Sequence, residues 1–158
     1  MRHSLTSLCL NLILLSTTAA LAQTDNRPVN LLSNFSPTTS PQTGTWSITP
    51  DGLRVEKGKG CRTLLAERLP RTYGLQIEFT RVSGNDVVAV ILPIGKTSVA
   101  LELSSWGGEA HGIARVDEQS SRSASNPTSV RPGKLTNGRR YTLDVRVAAD
   151  DENCQVTA

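Results

Sequence analysis

The chain has 158 residues with a formal net charge of +3, 37% hydrophobic and 20% charged residues, and six aromatic side chains. So small an excess of positive charge makes no electrostatic case for nucleic acid or an anionic membrane as partner. Arg131, Lys134, Arg139 and Arg140 do cluster, but Pro132, Gly133, Asn137 and Gly138 break the run into turns, the pattern of a solvated loop.

Residues 1–22 read as a secretory signal peptide. Arg2 and His3 precede an apolar run from Leu8 to Leu15, and Ala20-Leu21-Ala22 supplies small residues for cleavage. The run falls short of the roughly 20 residues that span a bilayer, so no membrane span is expected after cleavage. The expected destination is the cell exterior or the periplasm. Cleavage removes Arg2, lowering the charge from +3 to +2, and Cys9, leaving Cys61 and Cys154 in a compartment that permits oxidation. A Cys61–Cys154 disulfide and two separate thiols both fit that spacing. Residues 23–45, rich in Ser, Thr, Pro and Gln, read as a linker or N-terminal arm, with Leu31, Leu32 and Phe35 as an anchor and room for one edge strand.

From residue 46 to residue 158 the pattern is that of one β domain. Pro50-Asp51-Gly52 separates two short strands, of which the first opens on Trp46, read as core. Leu75–Thr80 alternates apolar and polar residues, as do Val99–Leu103 and Tyr141–Val147, so each offers one face to a core. The Leu75, Leu101 and Leu143 phases face inward, which places Phe79 and Tyr141 inward as well. Val87–Leu92 is continuously apolar and is expected to be a central strand covered on both faces. Pro93-Ile94-Gly95-Lys96 reads as the turn that follows. A glycine-rich loop at Trp106–Gly112, a short strand at Ile113–Val116 and a Ser-rich loop to Gly133 come next. Cys154–Ala158 reads as a last strand.

The order Gly44-Thr45-Trp46, Asp51-Gly52-Leu53, paired strands, a Trp-Gly-Gly loop and Asn137-Gly138-Arg139-Arg140-Tyr141 resembles the concanavalin A-like lectin/glucanase superfamily. Within it, the chain is similar to secreted bacterial jelly-roll domains of the laminin G-like and 3-keto-disaccharide hydrolase type. The resemblance implies an antiparallel jelly-roll β-sandwich. Members commonly continue past the last hairpin with an Asp-Gly turn and further strands; this sequence has no such continuation, so the expectation is either a fold closed differently or a shortened version of the domain that lacks its C-terminal strands.

Glu78, Glu102 and Asp144 lie on the polar phases of their strands and are the candidate catalytic carboxylates, because glycoside hydrolysis needs two carboxylates about 5 to 9.5 Å apart. The Glu-x-Asp-x-x-Glu string of the superfamily's glucanases does not occur. The resemblance also admits calcium, for which Asp86, Asp117, Glu118 and the Asp150–Glu152 turn offer oxygen ligands. His111 has no second histidine in the mature chain, which leaves a triad or a multi-histidine metal site unsupported. Sugar binding uses aromatic faces, and Trp106 in its glycine-rich loop is the candidate platform, with His111 beside it. The expected function is a secreted, non-catalytic carbohydrate- or surface-binding module acting on a cell-surface glycan. A glycoside or 3-keto-disaccharide hydrolase and a structural adhesion domain that binds protein are the alternatives.

Overall fold

The computed structural model describes residues 27–150 and 153–158, which form an all-β fold of antiparallel sheets. The signal-peptide reading of residues 1–22, Asp151 and Glu152 lie outside the described residues. The N-terminal arm has structure of its own. A 3-10 turn covers Leu31–Asn34, and β1 (Gln42–Thr43) pairs with β4 (Arg62–Thr63). Between them, β2 (Trp46–Thr49) and β3 (Gly52–Val55) form the hairpin that Pro50-Asp51-Gly52 announces.

The core lies between two three-stranded sheets. β5 (Thr72–Thr80) is followed by β6 (Val88–Ile94), β7 (Thr97–Ser104) and β8 (Ala110–Ile113). The minor hairpin of β9 (Arg115–Val116) and β10 (Gln119–Ser120) comes next, then β11 (Arg140–Ala149) and β12 (Cys154–Thr157). One sheet has the order β12-β11-β5 and the other β6-β7-β8. Period two decides what each strand buries. Leu75, Leu143, Val145 and Val147 from the first sheet meet Leu92, Ile94 and Leu101 from the second, giving a sandwich-like arrangement around one apolar cluster. Leu92, Val145 and Val147 are almost completely buried, and each such side chain contributes about 1.5–3 kcal/mol.

The turn at Gly95-Lys96 is tighter than its sequence suggests. Gly95 takes φ +57°, so Ile94 pairs directly with Thr97 across a two-residue hairpin, and Pro93 falls inside β6. Proline is tolerated there because β6 is an edge strand and the position needs no donor. The Pro93 carbonyl accepts a hydrogen bond from the Tyr73 hydroxyl at 3.0 Å, tying the two sheets together.

Several expectations are corrected. β6 is not central: it pairs with β7 alone among the described residues, and Ile91 is 65% exposed. A short apolar run does not reveal whether one face or two are covered. Trp46 is half-buried in its hairpin, outside the core cluster, with its indole N–H donating to the Thr43 carbonyl. The strand expected at Ile113–Val116 is split, Ile113 ending β8 and Arg115 beginning β9. Cys61 and Cys154 are free thiols, so the disulfide alternative is not realised. The Cys61 thiol turns toward the Glu56 carbonyl beside the β1–β4 pair, whereas Cys154 begins the edge strand of a different sheet.

Candidate functional site

The three candidate carboxylates do not share a face. Glu78 and Asp144 lie on the outer side of the β5–β11 pair, diagonal to each other, since Glu78 opposes Thr142 and Asp144 opposes Gln76. Glu78 is ion-paired with Arg140, and Asp144 accepts a hydrogen bond from Gln76 at 2.8 Å. Glu102 lies on β7, in the phase opposite to buried Leu101, and therefore on the outer side of the other sheet. Facing sheets pack about 10 Å apart and these side chains point away from each other, so Glu102 and the other two cannot flank one glycosidic bond. Glu102 has a different partner. Ser121, fully buried, donates to its Oε2 at 2.6 Å, and the Ser121 hydroxyl lies 3.0 Å from that of buried Ser105.

Ser105 opens the turn that presents Trp106. Ser104 (φ +59°), Trp106 (φ +55°) and Gly107 (φ +73°) all adopt left-handed backbone, a conformation that is costly for the first two. Hydrogen bonds hold it in place. The Ser105 hydroxyl donates to the Ala110 carbonyl at 3.0 Å, and the Ser104 hydroxyl accepts from Arg81 at 2.9 Å. Arg81 also donates to the Asn137 side chain and to the carbonyls of Asp86 and Leu135. One guanidinium thus fastens the ends of β5 and β7 to the segment leading into β11. Trp106 is 52% exposed, and the Arg122 guanidinium sits 4.5 Å from its ring centroid in a cation–π contact that covers one face.

A cleft of about 180 Å3 opens beside this turn, lined by Phe79, Leu103, Leu143, His111, Lys134 and Tyr141 among others. Its floor is apolar and aromatic: Phe79 and Tyr141, cross-strand partners, stack with centroids 5.6 Å apart. Polar groups sit at its margin. His111 Nδ1 accepts from the Ser104 backbone N–H at 3.1 Å, which places the ring proton on Nε2, and burial lowers the His111 pKa. The Tyr141 hydroxyl accepts from the Thr136 N–H at 2.7 Å, keeping its own proton to donate. That bond lowers the Tyr141 pKa; desolvation opposes it, and the nearby Arg139 and Arg81 charges add smaller lowering effects. Lys134 lies against Gly108 of the Trp106 turn.

A long loop completes this end of the molecule. Asn126, almost fully buried, donates to the carbonyls of Ile113 and Gln119 and accepts from the Thr128 backbone and hydroxyl. Val130 and His111 exchange backbone hydrogen bonds, so the loop runs along the outer edge of β8. Gly133 then passes so close to Ala110 that a Cβ there would lie 2.1 Å from the Ala110 carbonyl carbon. Only glycine allows that approach, and it sets Lys134 and Leu135 beside the cleft.

No protein-family model, curated protein or solved structure matches this chain. Among the described residues no three acidic, histidine or cysteine side chains gather as a cation site. The calcium candidates are dispersed: Asp86 accepts from the Val87 N–H, Asp117 and Glu118 form the positive-φ turn of the β9–β10 hairpin, and Asp150 accepts from the Asn153 N–H. Trp106 and His111, named from sequence, do fall on the same turn and its flanking strand, joined through Ser104. Lys134, Arg122 and Tyr141 join them here without a signal in the sequence. Lys134 stands in a segment of turn residues, and the inward phase of Tyr141 suggested core; no sequence signal joins either to Trp106.

Proposed function

We propose that this chain is a secreted, non-catalytic carbohydrate-binding module, a jelly-roll sandwich similar to concanavalin A-like domains, with its site at the Trp106 end. The observation that carries this reading is an exposed indole on a turn fixed by buried hydrogen bonds, next to an aromatic-floored cleft. An aromatic face stacks on the apolar face of a pyranose, while His111 Nε2–H and the Tyr141 hydroxyl offer donors to ring substituents. Scale supports a small ligand. Pockets for drug-sized molecules run to roughly 300–1,000 Å3. A cleft of about 180 Å3 suits one sugar ring at a chain end.

The test is a fluorescence titration of the mature protein with short glycans. Binding should shift the Trp106 emission, and Trp106→Ala should weaken binding at least about tenfold while costing less than about 1 kcal/mol of stability, as for an exposed side chain. A folded Trp106→Ala protein that binds every tested sugar as the wild type does would move the site elsewhere.

A further inference from the structure

The cleft and the turn beside it are cationic, and among the described residues no carboxylate is paired with that charge. Lys134 lines the cleft, Arg122 lies over Trp106, and Arg139 lies 5.3 Å from the Tyr141 ring centroid. Among the described residues none of the three is paired with a carboxylate: the ion pairs present are Arg54 with Glu56 and Arg140 with Glu78. Among the described residues no carboxylate lines the cleft; its polar lining residues are His111, Lys134, Tyr141 and Thr142, of which His111 keeps its ring proton on Nε2 and Tyr141 keeps its hydroxyl proton to donate. Glu109 is the acidic side chain of the Trp106 turn; it is exposed and is not among the residues that line the cleft.

We propose that the sugar this site takes is acidic, a single uronate-type ring whose carboxylate meets Lys134 while its apolar face rests on the aromatic surface. This rests on the carbohydrate-binding reading and narrows it. A neutral sugar would leave the ammonium and the adjacent N–H and O–H donors to hydroxyls alone, whereas a carboxylate accepts charge-assisted hydrogen bonds about twice as strong as neutral ones. Arg122 and Arg139, held over aromatic rings, add a positive field without occupying the cleft and favour the approach of anionic chain ends.

Calorimetric titration of the mature protein with a glucuronate-ended disaccharide and its neutral glucose counterpart tests this. The acidic sugar should bind at least about tenfold more tightly at low salt, with the preference shrinking as ionic strength rises. Lys134→Gln should weaken the acidic sugar at least about fivefold and leave the neutral one within about twofold. Lys96→Gln, at the opposite end of β7, removes the same charge and should change neither, which separates the site from a net-charge effect. Equal affinity for both sugars, indifferent to Lys134→Gln, would overturn the acidic assignment and leave the carbohydrate reading standing. Absence of binding by either sugar to the folded protein would overturn both.

Discussion

The interior between the two sheets and the end that carries Trp106 are built on different physics. Between the sheets, Leu92, Leu101, Val145 and Val147 exclude water by apolar burial, with the Tyr73–Pro93 hydrogen bond as a polar tie between the sheets. At the other end the most deeply buried side chains include Ser104, Ser105, Ser121 and Asn126. Small polar groups bury little apolar area, so that end depends on hydrogen bonds being completed and on Gly133 permitting close backbone approach. Apolar contact is non-directional and tolerates small adjustments. Hydrogen bonding fixes directions, and the left-handed backbone under Trp106 needs that.

The contrast can be broken at its stronger side first. Leu92→Ala should cost about 2–5 kcal/mol, the range for truncating a fully buried leucine, and lower the denaturant midpoint. A cost below about 1 kcal/mol would mean that the sheets do not share a tightly packed interior. Asn126→Ala comes next. It removes both side-chain donations and both acceptances at once and leaves the Ile113 and Gln119 carbonyls without that donor, for which about 2–3 kcal/mol is expected. Hydrogen exchange should show the loss concentrated in residues 113–130 while β5 and β11 keep their protection. Uniform loss across both sheets would instead make the two regions one cooperative unit.

The same contrast explains what the sequence revealed. The alternation of Leu75, Leu101 and Leu143 exposes inward phases because apolar burial leaves a periodic trace. A satisfied buried serine leaves none, and Ser105 meets Ser121 across sixteen residues of sequence. Arg81 follows a strand as any solvated charge would, yet it joins four segments. Trp106 and His111 were visible as unusual residues in a glycine-rich loop, whereas the juxtaposition of Lys134 with Gly108 depends on a backbone approach that only three-dimensional closure reveals. The continuous apolar run of β6 hid the opposite fact, an edge with Ile91 in solvent.

The smallest expected effect is a pH dependence seated where the two regions meet. His111 is half-buried with Nδ1 accepting from the Ser104 N–H, and its protonation would place a charge beside Lys134 and set two donors against each other. Burial lowers its pKa below the ordinary value of 6.5, so on folding the imidazole gives up affinity for a proton. Above that ordinary value folded and unfolded chains are both neutral here, and stability is unaffected by this group. As pH falls below it toward the lower folded value, the unfolded chain binds a proton that the folded chain does not, and stability declines. His111→Gln keeps an acceptor for Ser104 but cannot take up the proton. Urea unfolding of both proteins at mildly alkaline and mildly acidic pH should therefore show the larger loss in the wild type, because carboxylate titration is common to both and cancels in the difference. Equal losses would place the His111 ring in water, detached from Ser104 and from the turn that carries Trp106.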